Sequence, residues 1–543
     1  MNNAEAFLKE GILVDSELNE DLGNIKVSLV DVFKALNIRF LSKNDFKENF
    51  YKIKVILENL KERKGPEERE EREYVQQAID YLSKFYVSEA EEVKEKSKNS
   101  LPKKEVKTFH KQKSASLGNV RVLKCYDPPP REITVSDFTE HFKARYMAIK
   151  SILQGHNELE NLMLINKIPP NSKNISIIGI VYEKRITKNK NIMLNVEDLT
   201  GRISVVVNSS KKELVEKCSQ VVPDEVLGFR CSGNSEVLFA NDIIFPDIEN
   251  GFNKRRTESE EYAVFISDIH VGSNTFLEKN LLKFIDWING NSGTQEQQEM
   301  VKKIRYLFIT GDTVDGVGVY PGQEDRLDIK DIKLQYDKLA EYLGKIKKDI
   351  TIIMCPGQHD CVRVHEPQPP VGEDFAEKLY KIENTVIVSN PSWIEVGRSE
   401  NNPGVLVLMY HGASFHPLIS EISELRFGKA NLYPTKVIKH WLKKRHLGPP
   451  HSTTTHIPIV GEDPFVITEV PDILVTGDMH RADVANYKGV MMINSSCWQS
   501  QTEFEVKVGN TPDPCKAIIV NLKTWEVKIM DFSEPNQNYL YKN

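Results

Sequence analysis

Five short apolar runs in the C-terminal half of the chain each end abruptly in acidic, histidine or amide residues. The runs span residues 263–266, 306–309, 350–354, 405–409 and 473–475. Runs this apolar are typical of strands that are covered on both faces. In layered α/β folds, ligands lie beyond the carboxyl ends of such strands. We therefore predict that the segments after the five runs meet at one functional site.

The segments after these runs contain the residue types that hold metal ions. They read Ser267-Asp268-Ile269-His270, Gly311-Asp312-Thr313-Val314-Asp315, Pro356-Gly357-Gln358-His359-Asp360, Tyr410-His411-Gly412 and Gly477-Asp478-Met479-His480. A single Gly-Asp pair or a lone histidine after a strand is usually structural, but five such segments in succession are hard to explain by chance. The mixture of carboxylate, amide and imidazole groups suits divalent transition metals.

A different pattern precedes these runs. Residues 174–250 contain five short strand-like runs, with a short helical segment between the third and the fourth. This is the element order of an OB-fold, a small barrel that often binds oligonucleotides. Residues 174–250 contain few aromatic side chains that could stack with bases; Tyr182, Phe229 and Phe239 are among them. Nucleic-acid binding and protein docking therefore both stay open for this barrel.

The N-terminal part of the chain is predicted to contain three segments. Residues 1–92 have apolar positions at helical spacing and predict a small helical domain. Residues 93–130 are rich in lysine and poor in bulky apolar residues, which predicts a flexible linker. Residues 131–173 predict a helical lead-in to the barrel, and residues 258–540 the domain that carries the five apolar runs.

Composition narrows the class of protein. The chain has 543 residues, a formal net charge of −6 and seven cysteines without a Cys-x-x-Cys pair. A length of this size favours two or three domains. The cysteine spacing excludes common zinc fingers and favours reduced thiols. Because no apolar run approaches the about 18 residues of a membrane span, we expect a soluble, cytoplasmic protein without a membrane partner.

The five segments resemble the signature of the calcineurin-like metallophosphoesterases. That signature is Asp-x-His, Gly-Asp-x-x-Asp, Gly-Asn-His-Asp/Glu, a lone His, and Gly-His-x-His; the first, second and fourth elements are intact here. The resemblance implies an α/β fold in which helices flank a β-sandwich, here preceded by the OB-fold barrel and the helical N-terminal domain. It also implies two divalent metal ions that hydrolyse phosphoesters.

The resemblance assigns roles to individual residues. Asp268, His270 and His480 would hold one ion, Gln358, His411 and Asp478 would hold the second, and Asp312 would bridge both. Two bridged ions lie about 3.5–4 Å apart and activate a shared water. The donor types suit Mn, with Fe, Zn or Mg as alternatives. His359 would contact the phosphate and the leaving oxygen, Asp360 would orient His359, and Asp315 would support the Asp312 loop.

Two positions depart from the signature, and both fall on the second metal. Gln358 replaces an asparagine, so its amide oxygen is carried on a longer side chain. Asp478 replaces a histidine, which removes an imidazole and adds a negative charge. Altered metal preference and weaker activity are the expected consequences, and loss of activity is an alternative.

The domain order resembles a more specific family, the small subunits of archaeal family-D DNA polymerases. The similarity includes residues 360–369 (DCVRVHEPQP) and residues 142–153 (FKARYMAIKSIL) and extends over about 130–535. It implies a 3′→5′ exonuclease that acts on a single-stranded DNA 3′ end. It further implies a complex, a heterodimer or larger, with a large polymerising subunit.

Several interpretations stay open at the sequence level. Arg363 could contact a DNA phosphate or form a structural salt bridge. Residues 434–446 predict a basic helix near the site that either contacts DNA or is a solvated face. Two other functions compete with the exonuclease: a scaffold subunit with a weak or inactive site, and a free-standing metallophosphodiesterase.

Overall fold

The computed structural model describes residues 119–535 and Tyr539, together with three two-residue strands, Leu13–Val14, Phe40–Leu41 and Ser116–Leu117. The chain divides into two compact units, Met1–Lys111 and Gln112–Asn543. In the first unit, Leu13–Val14 and Phe40–Leu41 pair in parallel. The predicted helical domain 1–92 otherwise lies outside the described residues, as does the linker up to residue 115.

The second unit begins with elements that lead into a barrel. In chain order they are β1 (Val120–Cys125), α1 (Val135–Leu153), β2 (Ser172–Ile186), β3 (Ile192–Glu197), β4 (Arg202–Val207), α2 (Lys212–Ser219), β5 (Val226–Gly233) and β6 (Val237–Ile244). Strands β2 to β6 close into a barrel with the order β2-β3-β4-β6-β5. The five predicted strands and the helix between the third and the fourth are confirmed.

Alternation of side chains fills the barrel. Along β3, Ile192, Leu194 and Val196 are buried while the residues between them are partly exposed. This period of two places every second side chain in the interior. Of the three aromatic residues noted in the sequence, Phe229 is buried in the barrel core, whereas Tyr182 and Phe239 are exposed. Binding of nucleic acid by the barrel stays a prediction.

The remaining elements form two sheets with helices outside them. In chain order they are β7 (Tyr262–Ile266), α3 (Glu278–Ile288), α4 (Gln295–Val301), β8 (Ile304–Thr310), α5 (Ile332–Leu343), β9 (Thr351–Cys355), α6 (Glu373–Tyr380), β10 (Thr385–Ile387), β11 (Ser392–Val396), β12 (Val405–Met409), α7 (Phe415–Glu421), α8 (Ser423–Phe427), α9 (Thr435–Lys444), β13 (Ile473–Thr476), β14 (Asp483–Tyr487), β15 (Val490–Asn494), α10 (Glu503–Val508), β16 (Lys516–Asn521) and β17 (Val527–Asp531).

These strands build a sandwich. Within the described part of the chain, one sheet has the order β10-β9-β8-β7-β16-β17, and the other has the order β14-β15-β13-β12-β11-β1 followed by Ser116–Leu117. Ala263 and Phe265 of β7 point into the core between the sheets, and Val264 and Ile266 pack against the outer helices. Burial on both faces explains why the strands read as continuous apolar runs. The predicted α/β sandwich flanked by helices is confirmed.

Strand direction places the ends of the apolar runs together. Strands β7, β8 and β9 pair in parallel, as do β12 and β13 in the opposite sheet. The carboxyl ends of parallel strands lie at the same edge of a sheet. The segments that follow these five strands therefore leave each sheet at one edge.

The predicted basic helix is α9, and it serves neither of the two predicted roles at its C-terminal end. Lys444 is buried and its ammonium pairs with Glu225 of the barrel. Lys443 donates to Gln220 Oε1 at 2.6 Å. The carboxylate that pairs with Lys444 and the amide oxygen that accepts from Lys443 both lie far earlier in the chain, in the barrel region. The helix therefore docks the barrel onto the sandwich.

The end of the predicted linker differs from the expectation. Residues 120–125 form β1, which pairs antiparallel with β11 at the edge of a sandwich sheet. Arg121 reaches Glu395 across this pair at 3.2 Å. The lysine-rich composition of residues 93–130 as a whole predicts a linker, but residues 120–125 (VRVLKC) pair with a strand far along the chain.

Candidate metal centre

The segments after the strands converge, as the sequence predicts. Ligand atoms of Asp268, His270 and His480 lie within 4.8 Å of one another, as do those of Asp268, Asp312 and His411. These residues follow β7, β8, β12 and β13, so both sheets contribute to the centre. The predicted convergence of carboxylates and imidazoles is confirmed for these five residues.

One group of three is arranged around the Nε2 atoms of two histidines. His480 Nε2 lies 3.4 Å from Asp268 Oδ1 and 3.3 Å from His270 Nε2. The other ring nitrogen of each histidine faces a carboxylate: His270 Nδ1 lies 3.1 Å from Asp315, and His480 Nδ1 lies 3.0 Å from Glu505. Such carboxylate contacts fix ring orientation and make the inner nitrogen a better ligand.

Asp312 belongs to the second group and also approaches a histidine of the first. Its Oδ2 is 3.3 Å from His411 Nε2 and 3.9 Å from His270 Nε2. Its Oδ1 accepts a hydrogen bond from the backbone N–H of His359 at 2.9 Å. Because this oxygen is near imidazoles of both groups, it has the position that a bridging ligand needs.

Burial and charge at the centre favour cations. Burial raises the pKa of the Asp312 carboxyl, but His411, His359 and His270 bring it below its usual value. Burial lowers the pKa of the His411 imidazole, but Asp312 brings it well above its usual value. The carboxylates thus draw positive charge into a buried place. Divalent ions supply that charge without protonating the ligands.

Buried atoms without hydrogen-bond partners also fit metal ions. His411 Nδ1 faces the Thr310 carbonyl at 2.9 Å, which leaves His411 Nε2 as a buried nitrogen without a hydrogen bond. Asp478 Oδ2 is likewise buried without a partner. Because such atoms are costly when nothing binds them, the donor set fits divalent metals.

The backbone at the centre is strained. Positive φ angles occur at five of the predicted ligands, and these residues are Asp268 (49°), His270 (53°), Asp312 (47°), Asp478 (65°) and His480 (54°). Each non-glycine residue in this region costs on the order of 1–3 kcal/mol, and such residues cluster at functional sites. This backbone conformation occurs where the segments that follow the strands of both sheets bring their side chains together.

One glycine leaves room for the ligands. A Cβ atom on Gly357 would lie 2.2 Å from Asp312 Oδ1 and 2.7 Å from His411 Nε2. The approach of the Asp312 and His411 side chains therefore requires glycine before Gln358.

Comparison with known proteins assigns the chain to a family. Residues 263–484 match the family model that describes the B subunits of DNA polymerases alpha and epsilon. The DNA polymerase II small subunit of Methanothermobacter thermautotrophicus is 39% identical over 399 residues, which cover 74% of this chain and 80% of that protein. The chain belongs to the family of archaeal DNA polymerase II small subunits. The resemblance to the small subunits of archaeal family-D DNA polymerases is confirmed.

Other DNA polymerase II small subunits show the same similarity. The Pyrococcus furiosus protein is 37% identical over 409 residues, covering 74% of this chain and 64% of that protein. The match to a solved archaeal phosphodiesterase covers 50% of this chain and 98% of that protein, at 14% identity and a TM-score of 0.24.

Among the described residues, each helix is too short or too polar to span a bilayer.

The two residues that depart from the phosphoesterase signature lie at the same place in this small subunit. Asp478 and Gln358 both line a cavity of about 510 Å³ that also reaches His270, Asp312 and His480. Asp478 Oδ1 lies 3.9 Å from His411 Nε2, on the side predicted for the second metal. Both residues therefore line the same cavity as the centre, and Asp478 offers an oxygen donor where the signature has an imidazole.

Asp360 and Asp315 differ from their predicted contacts. The Asp360 carboxylate accepts from Thr313 and from the backbone N–H of Gly357 at 2.9 Å, so it joins two loops rather than orienting His359. His359 is oriented by Asp315 instead, whose carbonyl lies 2.7 Å from His359 Nδ1. The carboxylate of Asp315 contacts the His270 ring.

The contacts of two further residues, Arg363 and Glu505, bear on the sequence analysis. Arg363 donates from Nε and Nη2 to the Pro367 carbonyl, at 2.9 and 2.6 Å, and this backbone bond stands in place of the salt bridge that was one of its two predicted roles. The other role, contact with a DNA phosphate, stays a prediction. Glu505, the carboxylate on His480, was missed by sequence reasoning. Its only local signal is a capping box with Thr502 at the start of α10, which does not indicate a histidine contact.

Proposed function

We propose that this small subunit is a metal-dependent 3′→5′ exonuclease that hydrolyses the terminal phosphodiester of single-stranded DNA within the polymerase complex. The observation that carries this proposal is the meeting of Asp268, His270, Asp312, His411 and His480 in one centre that opens into the cavity. The name shared by the relatives, DNA polymerase II small subunit, favours DNA as the substrate and a large polymerising subunit as the partner.

The residues around the centre fit two divalent ions. Asp268, His270 and His480 would hold one ion, and His411, Asp478 and Gln358 the other, with Asp312 between them. We propose Mn, with Fe, Zn or Mg as alternatives, because the donors are oxygen and imidazole. When bound, the ions would supply Lewis acidity toward the phosphate and a lowered pKa for the attacking water.

His359 is the proposed group at the leaving oxygen. Its Nδ1 is held by the Asp315 carbonyl, so Nδ1 carries a proton and Nε2 is the nitrogen available to substrate. The ring lines the cavity beside His270, with ring centroids 4.8 Å apart. A protonated Nε2 can donate to the 3′ oxygen as its bond to phosphorus breaks.

The barrel is the proposed guide for the strand. It is docked on the sandwich through α9, and Tyr182 and Phe239 are exposed on it. Exposed aromatic rings on a small barrel can stack with single-stranded bases. This part of the proposal concerns delivery of the 3′ end and not the chemistry.

The test compares wild type with Asp312→Asn in complex with the large subunit. With Mn and a 5′-labelled single strand, wild type should produce a ladder shortened from the 3′ end. Asp312→Asn should lower the rate by more than about a hundredfold, because an oxygen between both ions is replaced by a neutral amide. Retained polymerase activity in the variant shows that it still assembles.

A second candidate, a scaffold subunit with an inactive centre, is favoured by one observation, the departures at Gln358 and Asp478. It predicts no cleavage by wild type in Mn, Fe, Zn or Mg. Equal cleavage by wild type and Asp312→Asn would also contradict the exonuclease proposal, because the activity would then come from elsewhere.

A further inference from the structure

A glycine-rich loop beside the centre presents apolar side chains to solvent. Residues 316–322 read Gly-Val-Gly-Val-Tyr-Pro-Gly, and Val317, Val319 and Tyr320 in this loop are exposed by 46%, 39% and 39%. Tyr320 and Pro321 line the same cavity as His359. The loop therefore places an apolar surface next to a group of carboxylates and imidazoles.

Buried side chains hold the loop in place. Gln323 is 1% exposed; it accepts from the Val319 N–H at 2.9 Å and donates to the Asp315 carbonyl at 2.8 Å. Gln335, also buried, exchanges two hydrogen bonds with the backbone of Gly316, at 2.9 and 3.0 Å. These bonds hold Gly316 at the start of the loop and Val319 in its middle, so the exposed Tyr320 belongs to an anchored loop.

The loop is joined to the catalytic histidine. The Asp315 carbonyl that receives Gln323 also lies 2.7 Å from His359 Nδ1. The Tyr320 ring centroid is 6.3 Å from that of His359, and the two rings are inclined by 65°. A Cβ on Gly316 would lie 2.3 Å from the His359 carbonyl oxygen, so the loop backbone packs directly on this residue.

The surroundings of Tyr320 favour a nucleobase over another ligand. Most of the residues that line the cavity are of polar or charged type, and they include Asp315, Arg326, Glu503 and Lys507. A phosphodiester bound beside His359 carries the 3′-terminal nucleotide through its 5′ oxygen, so the terminal base lies one sugar from the phosphate, on the scale of the distance to Tyr320. Aromatic side chains bind single-stranded nucleic acid by stacking with bases, largely without regard to sequence.

We propose that Tyr320 is a stacking platform for the unpaired 3′-terminal base of single-stranded DNA. The proposal rests on the exonuclease function above and adds how the end is recognised. A terminal base that is paired remains stacked on its own duplex and cannot face the ring. Tyr320 thereby favours frayed or mismatched 3′ ends over paired ends.

The experiment removes the ring and the base independently. The full chain in complex with the large subunit is tested in Mn on two oligonucleotides, one with an ordinary 3′ nucleotide and one with an abasic 3′ residue. The variants are Tyr320→Ala, Tyr320→Phe and, as a matched control, Phe427→Ala, an aromatic residue 79% exposed on α8 that does not line the cavity.

Tyr320→Ala is expected to lower kcat/KM about tenfold on the ordinary end, in line with the loss of one base stack. It should change cleavage of the abasic end by less than about twofold, since no base is present to lose. Tyr320→Phe and Phe427→Ala should match wild type on both. Equal loss on both ends, or no loss on either, would overturn the proposal.

A binding measurement separates this proposal from the exonuclease function. The fluorescence of a 3′-terminal 2-aminopurine should be quenched when the strand binds wild type or Tyr320→Phe in Ca²⁺. It should not be quenched when the strand binds Tyr320→Ala. If wild type cleaves DNA but the variants do not differ in quenching, the proposal of base stacking on Tyr320 is wrong and the exonuclease proposal is unaffected. If no cleavage occurs but the difference is found, the nuclease proposal fails alone. Weaker association of Tyr320→Ala with its large polymerising partner would instead show that the loop is a protein contact.

Discussion

Asp478 is the residue whose chemistry most affects the proposed activity. It occupies the strained position after β13 where the phosphoesterase signature has histidine, and its Oδ2 is buried without a partner. Burial raises the pKa of this carboxyl, and Asp268 and Asp312 add to the effect, although His411 and His416 oppose it. A carboxylate at this place brings a further negative charge to a centre that already contains the carboxylates of Asp268 and Asp312.

Asp478→His is expected to hydrolyse single-stranded DNA about tenfold faster in Mn, because an imidazole restores the donor of the signature and removes one negative charge. Single-turnover cleavage and the number of bound Mn ions are the measurements. Asp478→Asn separates the two causes, since it removes the charge without adding an imidazole. A slower Asp478→His would show that the oxygen donor is adapted to this centre.

At the residue scale, the sequence predicts which side chains meet but not how each is held. Asp268, His270, Asp312, His411 and His480 could be predicted because each directly follows a buried strand. The contact of Glu505 with His480 and that of Asp315 with His270 could not, because their geometry depends on how separate loops fold against one another. The contacts of Asp360 were predicted wrongly for the same reason.

Among the secondary-structure elements, α9 shows why a basic helix is difficult to interpret from sequence. Its apolar residues Val437, Ile438, Trp441 and Leu442 face the sandwich and are fully buried, as predicted for an amphipathic helix. Lys444 is nevertheless buried as well, since Glu225 of the barrel provides its counter-charge. Residue type along a helix does not reveal a partner on another domain.

Lys444→Met should destabilise the protein by about 3 kcal/mol, because it leaves the Glu225 carboxyl buried without its cation. Burial already raises the pKa of Glu225 and lowers that of Lys444 despite their pairing. Urea unfolding measures the change. The double variant Lys444→Met/Glu225→Leu is the control and should recover most of the stability. If it is as unstable as the single variant, lost packing and not the unpaired charge is the cause.

At the scale of the whole molecule, α1, the barrel and the sandwich meet around one buried ion pair. Arg145 of α1 donates to Asp463 at 2.6 Å, to the Asp224 carbonyl of the barrel at 3.1 Å and to the Pro449 carbonyl at 2.8 Å. His141 and His446 also face Asp463, at 3.4 and 3.0 Å. Arg145 thus joins three parts of the fold, and the Asp463 carboxylate balances its charge.

The free energy of unfolding should decrease as pH falls below about 6.5. Burial lowers the pKa of His446 to about 4, with Arg145 acting in the same direction, and lowers the pKa of His456 to about 2. The unfolded chain therefore binds these protons first. Each histidine should remove about 1.4 kcal/mol of stability per pH unit, for His446 down to about pH 4.

Urea unfolding between pH 7.5 and 4.5 measures this dependence. His446→Gln should show a shallower decrease than wild type below pH 6.5 and no change of slope above it. The exposed His365→Gln is the matched control and should follow wild type. An unchanged slope in His446→Gln would mean that other groups govern the acid sensitivity of this junction.

The early position of β1 in the chain limits how the protein can be shortened. Residues 116–125 add Ser116–Leu117 and β1 at one edge of the sandwich, the chain next builds the barrel, and only afterwards does it form the other strands of both sheets. A fragment that starts at the barrel loses the neighbour of β11 and exposes a row of unpaired backbone N–H and C=O groups. Open strands of this kind invite pairing between molecules. Truncations intended to isolate the sandwich therefore need to retain residues 116–125 to keep this edge covered.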